Sequence, residues 1–196
     1  SIPSINSLDK GVSFEKNKSG RVNLAQGGKE NFSEIYRFKE FLEYEGEPVK
    51  GLTREGKPRI SITVSSTRIT KQLMSFGIIP NKSLVAKVSP KLINNRHFWR
   101  GIVCGDGGIY LEKNKPKIQL NGTKIVCEQF RKYCLDIVPE IKANILQNHS
   151  IWRFGFHSTF AYDVIKELFR DTHYGLDRKV KLAHKIINEY KNINQH

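Results

Sequence analysis

Asp106 is the side chain in this sequence best placed to do chemistry. It closes a stretch over 95–109 whose middle, Arg100-Gly101-Ile102-Val103-Cys104-Gly105, is helical in tone and unusually small and apolar. Gly101 and Gly105 lie four apart, a spacing that lets two helix backbones approach closely. A carboxylate at the C-terminal end of such a helix is opposed by the helix dipole. A compensating cation is therefore expected, and a bound Mg²⁺ is a natural one. The same Asp106-Gly107-Gly108 also reads as no more than a helix stop and turn.

A second set of candidates lies on strands. In 59–65, Ile60, Ile62 and Val64 alternate with Arg59, Ser61, Thr63 and Ser65, so the two sets face opposite ways. Val22 and Leu24 oppose Arg21 and Asn23 in the same manner, and Ile118 and Leu120 oppose Lys117, Gln119 and Asn121. Trp152, Phe154 and Phe156 oppose Arg153, Gly155 and His157, while Lys142 and Asn144 take the polar side of 141–146. The apolar side must pack under helices. The polar side carries the residue types that read base edges and phosphates. A β-ribbon fits the major groove, so two such sheets side by side suggest a saddle on duplex DNA. An ordinary solvated sheet face is also polar; the net charge favours nucleic acid.

The elements that must hold these residues come in two copies. Glu15-Lys16-Asn17-Lys18 recurs as Glu112-Lys113-Asn114-Lys115, 97 residues later, and Pro80-Asn81-Lys82 lines up with Asp177-Arg178-Lys179 at the same offset. Ser66-Thr67 echoes Ser158-Thr159 after small insertions. In the second copy the periodicity predicts a hairpin of 108–113 with 117–121, turning at Asn114-Lys115-Pro116. An amphipathic helix over 124–137 follows, then a hairpin of 141–146 with 151–157. Helices over 159–169, capped by Ser158, and over 178–190 complete the copy. The first copy predicts a hairpin of 12–16 with 21–26, a helix over 31–42, a hairpin of 47–52 with 59–65, and a helix over 67–76. Each unit reads ββαββα.

Composition bounds the partners. The 196 residues carry 33 Lys and Arg against 19 Asp and Glu, a net charge of +14 with a pI near 9.7, which makes a polyanion the default partner. No segment approaches the roughly 20 apolar residues needed to span a bilayer. The first ten residues lack the basic-then-apolar pattern of a secretory signal. Cys104, Cys127 and Cys134 lack Cys-x-x-Cys spacing and are odd in number, so buried free thiols are expected, in a reducing, cytoplasmic setting or wherever the host DNA lies.

The junction resembles a family, the LAGLIDADG homing endonucleases. Trp99-Arg100-Gly101-Ile102-Val103-Cys104-Gly105-Asp106-Gly107 matches the nine-residue motif, with Gly101, Asp106 and Gly107 at its defining positions. Phe76-Gly77-Ile78-Ile79-Pro80-Asn81-Lys82-Ser83-Leu84, and Leu168-Phe169-Arg170-Asp171 leading to Leu176-Asp177-Arg178-Lys179, look like intron- or intein-encoded members. The resemblance implies an α+β fold of two pseudo-symmetric αββαββα half-domains, here 1–90 and 91–196, with antiparallel sheets forming a saddle on double-stranded DNA. It implies a monomeric, site-specific endonuclease in which Asp106 binds Mg²⁺ or another divalent metal such as Mn²⁺. Lys82 and Lys179 match the family's basic positions near the scissile phosphates. Gln26 and Asn121 sit at strand ends, near where the family often places a water-organising residue.

The first copy departs from the pattern. Asp9 falls 97 residues before Asp106, but 1–8 contains Pro3 and no small-residue helical stripe. The resemblance therefore implies a first motif helix preceding Ser1, or one supplied by a separate segment or chain. Two other functions fit: a cleavage-deficient, sequence-specific DNA-binding protein, acting as a regulator or intron maturase on the same fold, and a basic RNA-binding protein.

Overall fold

The computed structural model describes residues 20–76, 88–172 and 175–193. The expected strand over 12–16, Asp9 and Lys82 lie outside the described residues.

The first sheet contains β1 (Arg21–Gly27), β2 (Val49–Leu52) and β3 (Pro58–Ser65) in the order β1-β3-β2, antiparallel throughout. Helix α1 (Phe32–Phe41) covers its apolar side, and α2 (Thr67–Ser75) follows β3. Helix α3 (Arg96–Asp106) then runs directly into β4 (Gly107–Glu112). The second sheet joins β4 to β5 (Lys115–Gly122), β7 (Ile151–His157) and β6 (Leu146–Asn148), in the order β4-β5-β7-β6. Helices α4 (Lys124–Ile137) and α5 (Thr159–Phe169) pack on that sheet, and α6 (Asp177–Ile193) packs on α5. No described helix is long and apolar enough to cross a membrane.

One core runs through both sheets, with Leu24, Ile60 and Ile62 of the first and Ile118, Leu120 and Phe154 of the second in the same apolar cluster. Seven consecutive residues of α3, Phe98 to Cys104, are buried. A helix buried on every side belongs inside a protein, and over this stretch α3 is one, with Arg100 the charged residue among the seven. Trp99 anchors it, with its ring centroid 5.2 Å from that of Phe130 and its Nε1 donating to the Ile93 carbonyl at 2.6 Å. All three cysteines are buried free thiols.

Three local expectations are corrected. The β4–β5 turn is Lys113-Asn114, both at positive φ (48° and 60°), so Lys115 and Pro116 belong to β5. Two left-handed residues match the twist of a tight hairpin, and Asn tolerates that region. Residues 141–145 form no ladder: Ile141 is buried and the Ala143 carbonyl accepts from Arg131 Nε at 3.3 Å, which ties the segment to α4 until Leu146 pairs with Arg153. Ser66 caps α2 by accepting from Ile69 N at 3.2 Å, but Ser158 does not cap α5. Its φ of 68° swings the side chain away from the helix amides, and Oγ lies 2.8 Å from His157 Nδ1.

Candidate nucleic-acid interface

The registers place the polar residues of each sheet on one face. Asn23 opposes Thr63 and Arg21 opposes Ser65, while Leu24 and Ile62 oppose each other on the buried side. Asn23 Nδ2 donates to Thr63 Oγ1 at 2.8 Å. Arg59 and Ser61 continue the face, opposite Gly51 and Val49 of the edge strand. Gln26 opposes buried Ile60, so it lies on the helix-covered side, away from Arg21 and Asn23.

The second face is a ladder of paired polar groups. Lys117 opposes His157 and Tyr110, Gln119 opposes Gly155 and Gly108, and Asn121 opposes Arg153. Lys117 Nζ lies 3.2 Å from Glu112 Oε1 and 5.7 Å from the Tyr110 ring centroid. Gln119 Nε2 donates to the Tyr110 hydroxyl at 3.2 Å, and Arg153 Nε donates to Asn121 Oδ1 at 3.0 Å. These contacts hold long side chains in place, which lowers the ordering cost of reading a ligand. A Cβ at Gly155 would lie 2.8 Å from Gln119 Cβ, so glycine there keeps Gln119 on the ladder. Lys142 and Asn144 are exposed in the coil that leads into β6. Tyr110 was legible in the alternation of β4, one step from Glu112, but its role as a partner of both Lys117 and Gln119 is visible only in the fold.

Asp106 ends α3 where that helix meets the second sheet. Gly107 leaves the helix at φ −99°, a value any residue adopts, so its conformation does not require glycine. Space does. A Cβ at Gly107 would lie 2.7 Å from the Gln119 carbonyl oxygen and 2.9 Å from Val103 Cα. Asn121 Nδ2 reaches the Asp106 carbonyl at 3.5 Å, which links the polar ladder to the residue that carries the acid.

The compensating cation expected at this helix end is present as Lys179. Its side chain is 4% exposed, and Nζ donates to the carbonyls of Val103, Cys104 and Gly107 at 2.8, 2.7 and 2.7 Å. The placement differs from that expected of a lysine facing phosphates. An ammonium with three donors directed at three carbonyls neutralises the negative end of α3 and fixes the direction in which Asp106 leaves it.

Among the described residues, no group of three or more His, Cys, Asp or Glu side chains could cage a metal ion. Asp106 offers one hard oxygen ligand at a helix end. That donor set fits a divalent cation that keeps most of its water and takes further oxygens from bound phosphate, as Mg²⁺ does, and does not fit an all-protein cage.

The other copy reaches the same region through the start of α6. Arg37 Nη2 donates to Asp177 Oδ1 and Arg37 Nη1 to Glu34 Oε1, both at 2.8 Å, while Ser33 Oγ lies 3.4 Å from Asp177 Oδ2. Burial pushes Glu34 up from 4.5 to about 7, against the pull of Arg37, and Asp177 adds to the rise. Two residues after the Asp177 contact, Lys179 grips the end of α3. The first turn of α6 thus touches both α1 of the first copy and the helix that carries Asp106.

Arg100 is the other unusual charge. It is 5% exposed, its Nη1 has no hydrogen-bond partner, and burial lowers its pKa, with the charge of Arg96 adding to the lowering.

No protein-family model matches the sequence, and no curated protein matches it. Solved structures do share its fold. The LAGLIDADG homing endonuclease I-LtrWI bound to target DNA aligns with a TM-score of 0.59 at 12% identity, covering 96% of this chain and 89% of that one. The homing endonuclease I-WcaI bound to its DNA recognition sequence gives 0.58 at 16% identity, over 84% and 77%. Full-length DUF199/WhiA from Thermatoga maritima gives 0.53 at 11% identity, over 97% and 61%.

Proposed function

We propose that this chain, which has the fold of the LAGLIDADG homing endonucleases, is a monomeric, site-specific double-stranded DNA endonuclease built from half-domains over 1–90 and 91–196. The observation that carries the reading is the position of Asp106, at a fixed helix end and joined through Asn121 to a preorganised basic sheet face.

The two polar faces would lie in successive stretches of major groove. Arg21, Arg59, Lys117, Lys142 and Arg153 supply charge for phosphates and donors for guanine, and Asn23 and Gln119 present the amides that pair with adenine. Ser61, Thr63, Asn144 and His157 add shorter donors and acceptors. Asp106 would hold the Mg²⁺ or Mn²⁺ ion beside the scissile phosphate; such an ion activates water and offsets charge on the leaving oxygen. Lys179 acts here through the backbone, by keeping Asp106 in place, and Asn121 steadies the same segment from the sheet. Lys82 keeps the role that the resemblance gives it, charge stabilisation near the phosphate.

A second reading, sequence-specific DNA binding without cleavage, is favoured by one observation. Among the described residues no group of three or more His, Cys, Asp or Glu side chains could hold a metal ion. A selected duplex target tested with Mg²⁺ separates the two readings. Mg²⁺-dependent cuts that vanish in Asp106→Asn, with binding kept, support the endonuclease. Specific binding with no cuts in the native protein supports the second reading and sinks the first.

A further inference from the structure

The outer edges of the two polar faces carry aliphatic side chains at matching places. Ser66 and Ser158 each start the helix that follows β3 and β7, so Ser65 and His157 hold equivalent positions, opposite Arg21 and Lys117. Four residues earlier on these strands stand Ser61 and Arg153. Their partners on the edge strands are Val49 and Leu146. Val49 is 69% exposed and Leu146 is 63% exposed.

A single exposed aliphatic is ordinary on a protein surface. The faces also carry Ala25, Tyr110 and the exposed Ile151, but Val49 and Leu146 alone among these share one register position in both sheets, and packing within the chain does not explain that pair. The major groove offers one apolar group to such a side chain, the C5-methyl of thymine. We propose that Val49 and Leu146 are specificity residues, each packing on a thymine methyl, one in each half of the DNA site. The inference rests on the duplex-DNA reading above. It also places the thymines. Leu146 lies on β6, three strands from β4, which puts it roughly 14 Å across the sheet from the strand that follows Asp106. The two thymines therefore belong to the outer parts of the target, away from its centre.

The test begins with duplexes enriched by the native protein from a randomised pool. Thymine is then replaced by uracil, one position at a time, which removes only the methyl group. One replacement in each half should weaken binding about four-fold, the worth of one buried methyl. Val49→Ala should abolish the sensitivity in one half and keep it in the other, and Leu146→Ala should do the reverse. Both side chains are exposed, so neither change disturbs the core. Uracil without effect at every position, or sensitivity that persists unchanged in both variants, overturns the inference while leaving DNA binding intact. A pool from which no duplex is enriched overturns the DNA-binding reading itself.

Discussion

Lys179 Nζ donates to the main-chain carbonyl of Gly107 at 2.7 Å, from a helix that lies 72 residues further along the chain. The contact joins the negative end of the motif helix to a buried cation, with the carbonyls of Val103 and Cys104 completing the set. Asp106 is thus held by geometry set outside its own helix.

Lys179→Met should leave three buried carbonyls without their charged donor and cost about 2–4 kcal/mol of stability. Urea unfolding measures this directly. A lysine that served only to contact phosphate would change cleavage and leave the unfolding midpoint where it was.

Gly107→Ala should destabilise by about 1–3 kcal/mol, because the new methyl meets the Gln119 carbonyl and Val103 Cα well inside contact distance. Neither neighbour is a flexible side-chain end, so the helix end must move off β5. Thermal unfolding checks the cost. A variant of native stability would contradict the close approach.

Glu34 makes stability depend on pH. Its folded pKa of about 7 lies above the ordinary 4.5, so the folded protein holds a proton that the unfolded chain has already released. Stability should therefore fall as pH rises from about 4.5 through 7 and level off above. Glu34→Gln should match the native protein near pH 5 and exceed it at pH 8 by on the order of 1–3 kcal/mol. Urea midpoints across that range decide the matter, and an unchanged slope in the variant contradicts the assignment.

Arg100→Met should raise stability by about 1–3 kcal/mol, since it removes a buried charge whose Nη1 has no partner while keeping an unbranched chain of similar length. Differential scanning calorimetry reads the shift. A lower midpoint would mean that the guanidinium holds a partner in solution.

Much of the fold was legible because hydrophobic period is a strong signal. The helix over 124–137 and the strand over 151–157 coincide with α4 and β7. The alternation of 59–65 likewise put Ile60, Ile62 and Val64 in the core. The departures arise where tertiary contacts override local pattern. Residues 141–145 alternate as a strand does but are held by α4 through Arg131, and Ser158 has the type of a cap but not the backbone angle. Asp106 was visible through its motif and the helix end that it occupies. Lys179 was visible as a repeated position, yet its partners are backbone carbonyls, which no side-chain pattern encodes. The edge residues Val49 and Leu146 stand out only once strand registers are known.

The central claim, that the two polar sheet faces bind duplex DNA, is tested most directly by fluorescence anisotropy against a duplex from the enriched pool and a single-stranded RNA of equal length. Preference for the duplex is expected, with at least ten-fold weaker duplex binding in Arg59→Ala/Arg153→Ala, whose two changes fall on separate sheets. Lys185→Ala, on the exposed side of α6 beside Glu189, should bind like the native protein. Equal or tighter binding of the RNA, or an Arg59→Ala/Arg153→Ala variant that binds the duplex as well as the native protein does, would contradict it.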